Sequence, residues 1–180
     1  MRTPFLVGDR IYLRPLDAAT DLDRCLRWIN DPELQARIGR RHPMGRTQEQ
    51  EWLDGQYKQD DHMNLAIVVA DGDRHIGNCG FNAIDSVNRS AVFGIMIGET
   101  DTWGQGYGPE ASRLIIEYGF EELGLHRIEL DVFSHNAGAI RAYEKTGFIR
   151  EGVKRESYFR HGVYHDTIQM SILESEWGRA

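Results

Sequence analysis

The chain has 180 residues, 41% hydrophobic and 27% charged, which suits one soluble globular domain with a buried core and argues against disorder. Its formal net charge of −7 argues against a nucleic-acid backbone as partner and tolerates a cationic small substrate. The longest purely apolar run, residues 65–70, is too short to cross a bilayer, and the first ten residues lack an apolar signal region. A cytoplasmic protein without membrane contact is therefore expected. Cys25 and Cys79 form no metal or redox spacing and read as reduced structural thiols.

In chain order, 9–16 alternates Ile11, Leu13 and Leu16 and predicts a first strand. Residues 21–30 place Leu22, Cys25, Leu26 and Ile29 on one helical face, and the Asn-Asp-Pro at 30–32 is read as its stop. A second helix is expected over 46–58, with Thr47 and Gln50 as a capping box. Leu65 to Ala70, His75 to Ile84 and Ser90 to Gly98 predict an antiparallel meander whose first hairpin turns at Asp-Gly-Asp, 71–73. The pattern then changes. Pro109 to Leu123 reads as a helix closed by Gly124, 127–133 as a strand, and 136–147 as a helix ended by Gly147. Two strands, 148–153 and 164–173, close the chain. The order β-α-α-β-β-β-α-β-α-β-β predicts one domain, 1–180, of the mixed α/β class.

Two stretches carry chemistry. "TWGQGYGPEA", 102–111, places Gly104, Gly106 and Gly108 between a strand and a helix. Glycines there let the backbone turn sharply, and successive N–H groups at a helix N-terminus favour an anion. It lacks the Gly-Lys-Ser/Thr of a nucleoside-triphosphate loop and the spacing of a dinucleotide fingerprint. On its own it reads equally as an ordinary connector. In "NAGAIRAYEKTGF", Asn136 stands at an N-cap position. Tyr143 follows two turns later, about 10 Å along the same face, where it serves as a core aromatic or as a phenol in need of a partner.

The two stretches in this order, "FGIMIGETDTWGQGYGPEA" and then "NAGAIRAYEKTGFIREG", resemble the GNAT acetyltransferase superfamily. The likeness is strongest to the branch of ribosomal-protein N-terminal-amine and spermidine/spermine acetyltransferases. "LRPLDAATDLDRCLRWINDPE" and "YHDTIQMSILESEW" are similar to that branch too, so the resemblance spans nearly the whole chain. It implies a mostly antiparallel twisted sheet with splayed central strands flanked by helices. The strand 95–97 would splay, with a bulge, from the strand 127–133 and leave a slot for acetyl-CoA.

By that resemblance Gln105, Gly106, Tyr107 and Gly108 hold the pyrophosphate through main-chain amides, with Trp103 and Gly104 at the mouth of the loop. Ile95, Met96 and Ile97 run beside the pantetheine arm, and a backbone N–H there polarises the thioester oxygen. Asn136 hydrogen-bonds the pantetheine, Ala139 and Lys145 line it, and Tyr143 is the general acid that protonates the departing thiolate. Trp103 stands where the family often has Arg or Gln, so the phosphate grip rests on the backbone.

The implied reaction is direct acetyl transfer to a primary amine in a ternary complex. Many relatives carry a glutamate where this chain has Val92, which leaves Glu99, Asp85, Glu51, His75 or a water as candidate bases. The acceptor is expected to be a protein N-terminus or a polyamine. An antibiotic or amino-sugar acetyltransferase, or a non-catalytic acyl-CoA sensor, fits the same residues. His161 and His165 share one face of a hairpin without a third ligand, so no metal is expected. Trp28, Trp52, Tyr158, Phe159 and Tyr164 are candidates for an acceptor wall, for core or for interface. An exposed sheet edge would allow a homodimer.

Overall fold

A computed structural model describes residues 3–178. In it β1 (Leu6–Val7) and β2 (Ile11–Pro15) precede three helices, α1 (Ala18–Asn30), α2 (Pro32–Ile38) and α3 (Arg46–Gly55). A meander follows, of β3 (Met63–Val69), β4 (Arg74–Asp85) and β5 (Ser90–Ile97). Then come α4 (Tyr107–Glu121), β6 (Arg127–Phe133), α5 (Ala137–Lys145), β7 (Ile149–Arg160) and β8 (Val163–Leu173). All eight strands form one sheet in the order β1-β2-β3-β4-β5-β6-β8-β7, antiparallel everywhere except β5 beside β6.

Alternation along the strands divides the core between the two faces of the sheet. Ile11, Leu13, Leu65 and Ile67 point to the face that α4 covers with Ala111, Ile115 and Ile116, and α5 adds Ile140 to that layer. Tyr12, Ala66 and Val68 point the other way, into a second cluster with Leu22, Cys25 and Trp28 of α1, Leu34 of α2 and Leu53 of α3. Both cysteines are free and buried, and burial pushes the Cys25 thiol up to about 11.

Local chemistry moves several expected boundaries. Asp17 caps α1 by accepting from Ala19 N at 3.0 Å, so the helix begins before residue 21. Asn30-Asp31-Pro32 is a junction rather than a stop. Asp31 accepts from the amides of Glu33 and Leu34, and Pro32 occupies the first turn of α2, where a missing N–H costs nothing. At α3 the capping residue is Gly45, whose N–H donates to Gln48 Oε1 at 3.1 Å; the Thr47–Gln50 box does not form.

The central feature is the β5–β6 pair. Only Ser90, Ala91 and Val92 are paired, with Arg127, Ile128 and Glu129. Beyond that point the two parallel strands diverge. The expected bulge is not in this pair but in β4. There Ile76 lies between the partners of Ile67 and Val68, and Ala83 and Ile84 stand opposite Ala91 alone.

Candidate active site

The divergence of β5 and β6 opens a cleft of about 940 Å³ that reaches from the glycine loop to the first turns of α5. Such a gap at the carboxyl ends of parallel strands is where open α/β sheets bind ligands. Phe93 to Ile97 form one wall and Asp131 to Phe133 the other. Ile95 and Ile97 turn their side chains to the α4 face, and Met96 turns to the α1–α3 face. Leu34, Arg37 and Ile38 of α2 line the cleft as well. The slot is therefore lined from both layers of helices.

At the wide end, the loop after β5 is folded by its glycines. Gly104 has φ +75° and Gly106, the residue before α4, has φ +88°, a left-handed backbone that only glycine adopts freely. Gly106 has no side chain with which to cap α4, so the amides of the first turn depend on another partner. Arg10 braces the loop from outside: its Nη1 donates to Gln105 O at 2.9 Å, its Nε to Glu110 Oε2 at 3.0 Å, and its guanidinium lies 4.9 Å from the Tyr107 ring.

Most of the residues expected in the cofactor slot do line the cleft: Ile95, Met96, Ile97, Trp103, Gly104, Gly106, Tyr107, Gly108, Asn136, Ala139, Tyr143 and Lys145. Gln105 does not. Its side chain donates back to Asp101 O at 2.8 Å, while its carbonyl serves Arg10. Trp103 is turned inward, with Nε1 donating to Ile97 O at 3.0 Å, which ties the loop to the end of β5.

At the narrow end stands Tyr143. Its ring meets Phe93 and Phe148 edge-on, at 6.2 and 5.8 Å between centroids. Burial pushes the phenol up to about 12, so it is a neutral O–H donor at any ordinary pH.

The four candidate bases lie elsewhere, and three of them are held by structural partners. Glu99 bridges Arg27 and Arg74 and accepts from Trp28 Nε1. Asp85 closes its own turn by accepting from Val87 N, Asn88 N and Asn88 Nδ2. Glu51 is exposed on α3. His75 is 1% exposed, with Nε2 against Gly77 O and Asn78 Oδ1 and Nδ1 3.3 Å from Asp21. None of them lines the cleft. The carboxylate that does, Asp131, is paired with Lys154 at 2.6 Å.

The aromatic candidates divide. Trp28 is core, and Tyr158 is buried and stacks on Phe133 at 3.9 Å beneath the cleft wall. Phe159 and Tyr164 pair on the exposed β7–β8 hairpin. Trp52 borders a separate, shallower pocket near Gln56, Asn64 and Asn82. His161 sits in the hairpin turn with φ +51°, while His165 packs against His135 at 4.8 Å.

Sequence reasoning missed Arg37. Its guanidinium lies 4.2 Å from the centroid of the Trp103 ring, and its Nη1 reaches Asn136 Oδ1 at 3.4 Å. Reading Asp31-Pro32 as a helix start would have placed it on a short amphipathic helix with Leu34 and Ile38.

A glycine-folded helix N-terminus, a slot between diverging parallel strands and a neutral tyrosine meet in one cleft. Residues 10–149 match the sequence model of the acetyltransferase (GNAT) domain. The chain belongs to the GNAT acetyltransferase family. It is 31% identical to the "Probable N-acetyltransferase YjcK" of Bacillus subtilis, over 95% of this chain and 98% of that protein. It is 29% identical to the spermidine N(1)-acetyltransferase of Escherichia coli K12, over 93% and 88%. The solved spermidine N-acetyltransferase of Vibrio cholerae, in complex with CoA and spermine, superposes with a TM-score of 0.87 at 26% identity, covering 94% of this chain and 98% of that one. The chain is thus an N-acetyltransferase of the branch its two motifs resemble, and its acyl donor is acetyl-CoA, a substrate consumed in each turnover. Arg37, Arg141, Lys145 and Lys154 also line the cleft, beside the glycine-folded start of α4.

Proposed function

We propose that the chain acetylates a primary amine by direct transfer in a ternary complex, with the donor on the α4–α5 side and the acceptor arriving from the α2 side. The observation that carries this reading is the slot lined from both helical layers, with an anion-ready helix N-terminus at its wide end and Tyr143 at its narrow end. The diphosphate meets the amides of Gly106 to Gly108, and the pantetheine runs between β5 and β6, where the strands no longer pair. The thioester then lies beside Tyr143. The amine nitrogen attacks the carbonyl carbon, the C–N bond forms and the C–S bond breaks. The departing thiolate takes its proton from the Tyr143 hydroxyl, the surplus amine proton leaves to water, and water returns a proton to the Tyr143 phenolate.

For the acceptor, the absence of a free base among the described cleft residues selects a class. A lysine-like or polyamine nitrogen with a pKa near ~10.4 is almost wholly protonated at pH 7, so its turnover gains most from a base in the site. A peptide α-amine, with a pKa of about 8, is already neutral in part and needs only water. The lining charge agrees: four cations face one carboxylate, already paired, so a polycation finds no counter-ion there. We therefore assign the acceptor as a protein or peptide N-terminal amine. The names of the spermidine-acetylating relatives support a polyamine as the second reading.

The deciding experiment offers short peptides with free α-amines, their Nα-blocked lysine-bearing counterparts, spermidine and spermine, and follows thiol release from acetyl-CoA between pH 6 and 10. With the peptide α-amine, kcat/KM rises with unit slope and levels near pH 8. Turnover confined to spermidine or spermine overturns the acceptor assignment. No thiol release with any amine overturns the transfer reading as a whole.

A further inference from the structure

Arg37 crosses the cleft. It stands on α2, stacks on Trp103 at the β5 side and reaches Asn136, the N-cap of α5, at the β6 side. Its other partner, Glu33, lies one turn earlier on the same helix at 3.1 Å, which leaves Nη1 for the asparagine.

The consequence lies in how the Asn136 amide is turned. The amide oxygen accepts hydrogen bonds and the amide nitrogen donates them, so the partners fix the orientation. Oδ1 faces two donors, the backbone N–H of Ala139 at 3.3 Å and Arg37 Nη1 at 3.4 Å. Neither tolerates an NH2 group in that place. The Nδ2 group is consequently turned away from both. It has no hydrogen-bond partner among the described residues, and Asn136 lines the cleft. The Ala139 bond alone would be weak, since α5 is short and its first turn frays readily. A second, charged donor on the same oxygen is what locks the amide.

We propose that Arg37 is a positioning residue for donor binding. Held over the Trp103 ring, it fixes the Asn136 amide so that Nδ2 presents a preorganised donor to an amide carbonyl of the pantetheine arm. In the same contact it ties α2 and the glycine loop to α5. The side-chain charge that Trp103 does not supply to the loop thus comes from the opposite helical layer, and acts through Asn136. This rests on the reading of the cleft as the acetyl-CoA site.

The test is calorimetric titration of CoA, the non-reacting product, into the wild-type chain, Arg37→Ala, Asn136→Ala and the double variant, with thermal unfolding in parallel. Arg37→Ala and Asn136→Ala are each expected to raise Kd about fivefold, the worth of one net hydrogen bond. The double variant is expected to match the weaker single, because the two side chains act as one unit. Arg37→Lys, which still places a donor over Trp103, recovers part of the loss. Multiplying losses, or an unchanged Kd in Arg37→Ala, overturns the positioning role. Failure of the wild-type chain to bind CoA overturns instead the donor reading on which it rests.

Discussion

Val92 and Glu129 face each other in the last rung of the β5–β6 ladder. One residue further, Phe93 already belongs to the wall of the cleft and to the ring cluster around Tyr143. The slot therefore needs no insertion or lid. It follows from two parallel strands that agree in register for three residues and then part. A ligand in this gap couples both helical layers and stabilises the folded chain by mass action. Acetyl-CoA at a hundred times its Kd is expected to stabilise by about 2.7 kcal/mol, and so to raise Tm by roughly 5–10 °C for a chain of this size. Differential scanning calorimetry with and without the donor measures this. An unmoved Tm at saturating donor contradicts the placement of the ligand in the gap.

Gly106 separates backbone conformation from chemistry at the wide end. Its φ of +88° strains any other residue, and a Cβ there would stand 3.1 Å from Arg10 Nη2. Gly106→Val should therefore displace both the turn and the arginine that braces it, and weaken CoA binding by more than about tenfold. At Gly104, with φ +75° but open space around the Cβ position, an alanine meets strain alone. Gly104→Ala is expected to be the milder of the two in CoA titrations. Equal Kd values for Gly106→Val and the wild-type chain would refute an amide-based grip.

What the sequence made legible was whatever is local. The helices after β5 and β6 announce themselves by apolar spacing and by Gly124 and Gly147, both at positive φ just past the helix ends. The same locality made the glycine loop and the Asn136–Tyr143 spacing readable. Three kinds of feature were not. Helix starts at Asp17 and Gly45 depend on which of several polar residues turns its side chain back, and the pattern offers more than one choice. The Asp31-Pro32 junction reads either as a stop or as a cap followed by a first-turn proline, and the fold uses it as the start of α2. The candidate bases failed for a third reason. Glu99 is held by Arg27, Arg74 and Trp28 and His75 lies against Asp21, partners 25 to 72 residues away in sequence, and no spacing rule reports that. Arg37 was overlooked because its significance lies in Trp103 and Asn136, which belong to different elements.

Tyr143 should show its role by a split between binding and turnover. Tyr143→Phe keeps the rings packed against Phe93 and Phe148 but removes the proton donor. The turnover number is expected to fall about a hundredfold, with the Kd for CoA within twofold of wild type. Equal losses in both would show that the hydroxyl only holds the donor. The phenol pushed up to about 12 adds a second expectation. Protonated Tyr143 persists throughout the working range, so the rate profile that rises with the neutral amine should show no falling limb up to pH 10. A descending limb with an apparent pKa below 10 would rule out this tyrosine as the acid.

The buried pair beneath the α1–α3 layer sets the acid limit of the fold. Asp21 and Arg14 are 0% and 3% exposed at their side chains and bond at 2.7 and 2.8 Å. Burial by itself would raise the Asp21 carboxyl. Hydrogen bonds from Arg14, His75 and the Asp17 amide outweigh it and hold the group far below the usual carboxylate range. A carboxyl depressed in the folded state stabilises the fold above its unfolded pKa of about 3.9, and that contribution is lost as pH falls below it. Asp21→Asn removes the charge while keeping the shape, and leaves Arg14 buried without its counter-ion. The variant is expected to lose about 3–5 kcal/mol at pH 7, the usual consequence of breaking one side of a buried pair. It should also lose less further stability than the wild-type chain between pH 5 and pH 3. Urea unfolding at pH 7, 5 and 3 measures both. Parallel loss of stability in the two proteins on acidification would show that other carboxylates set the acid limit.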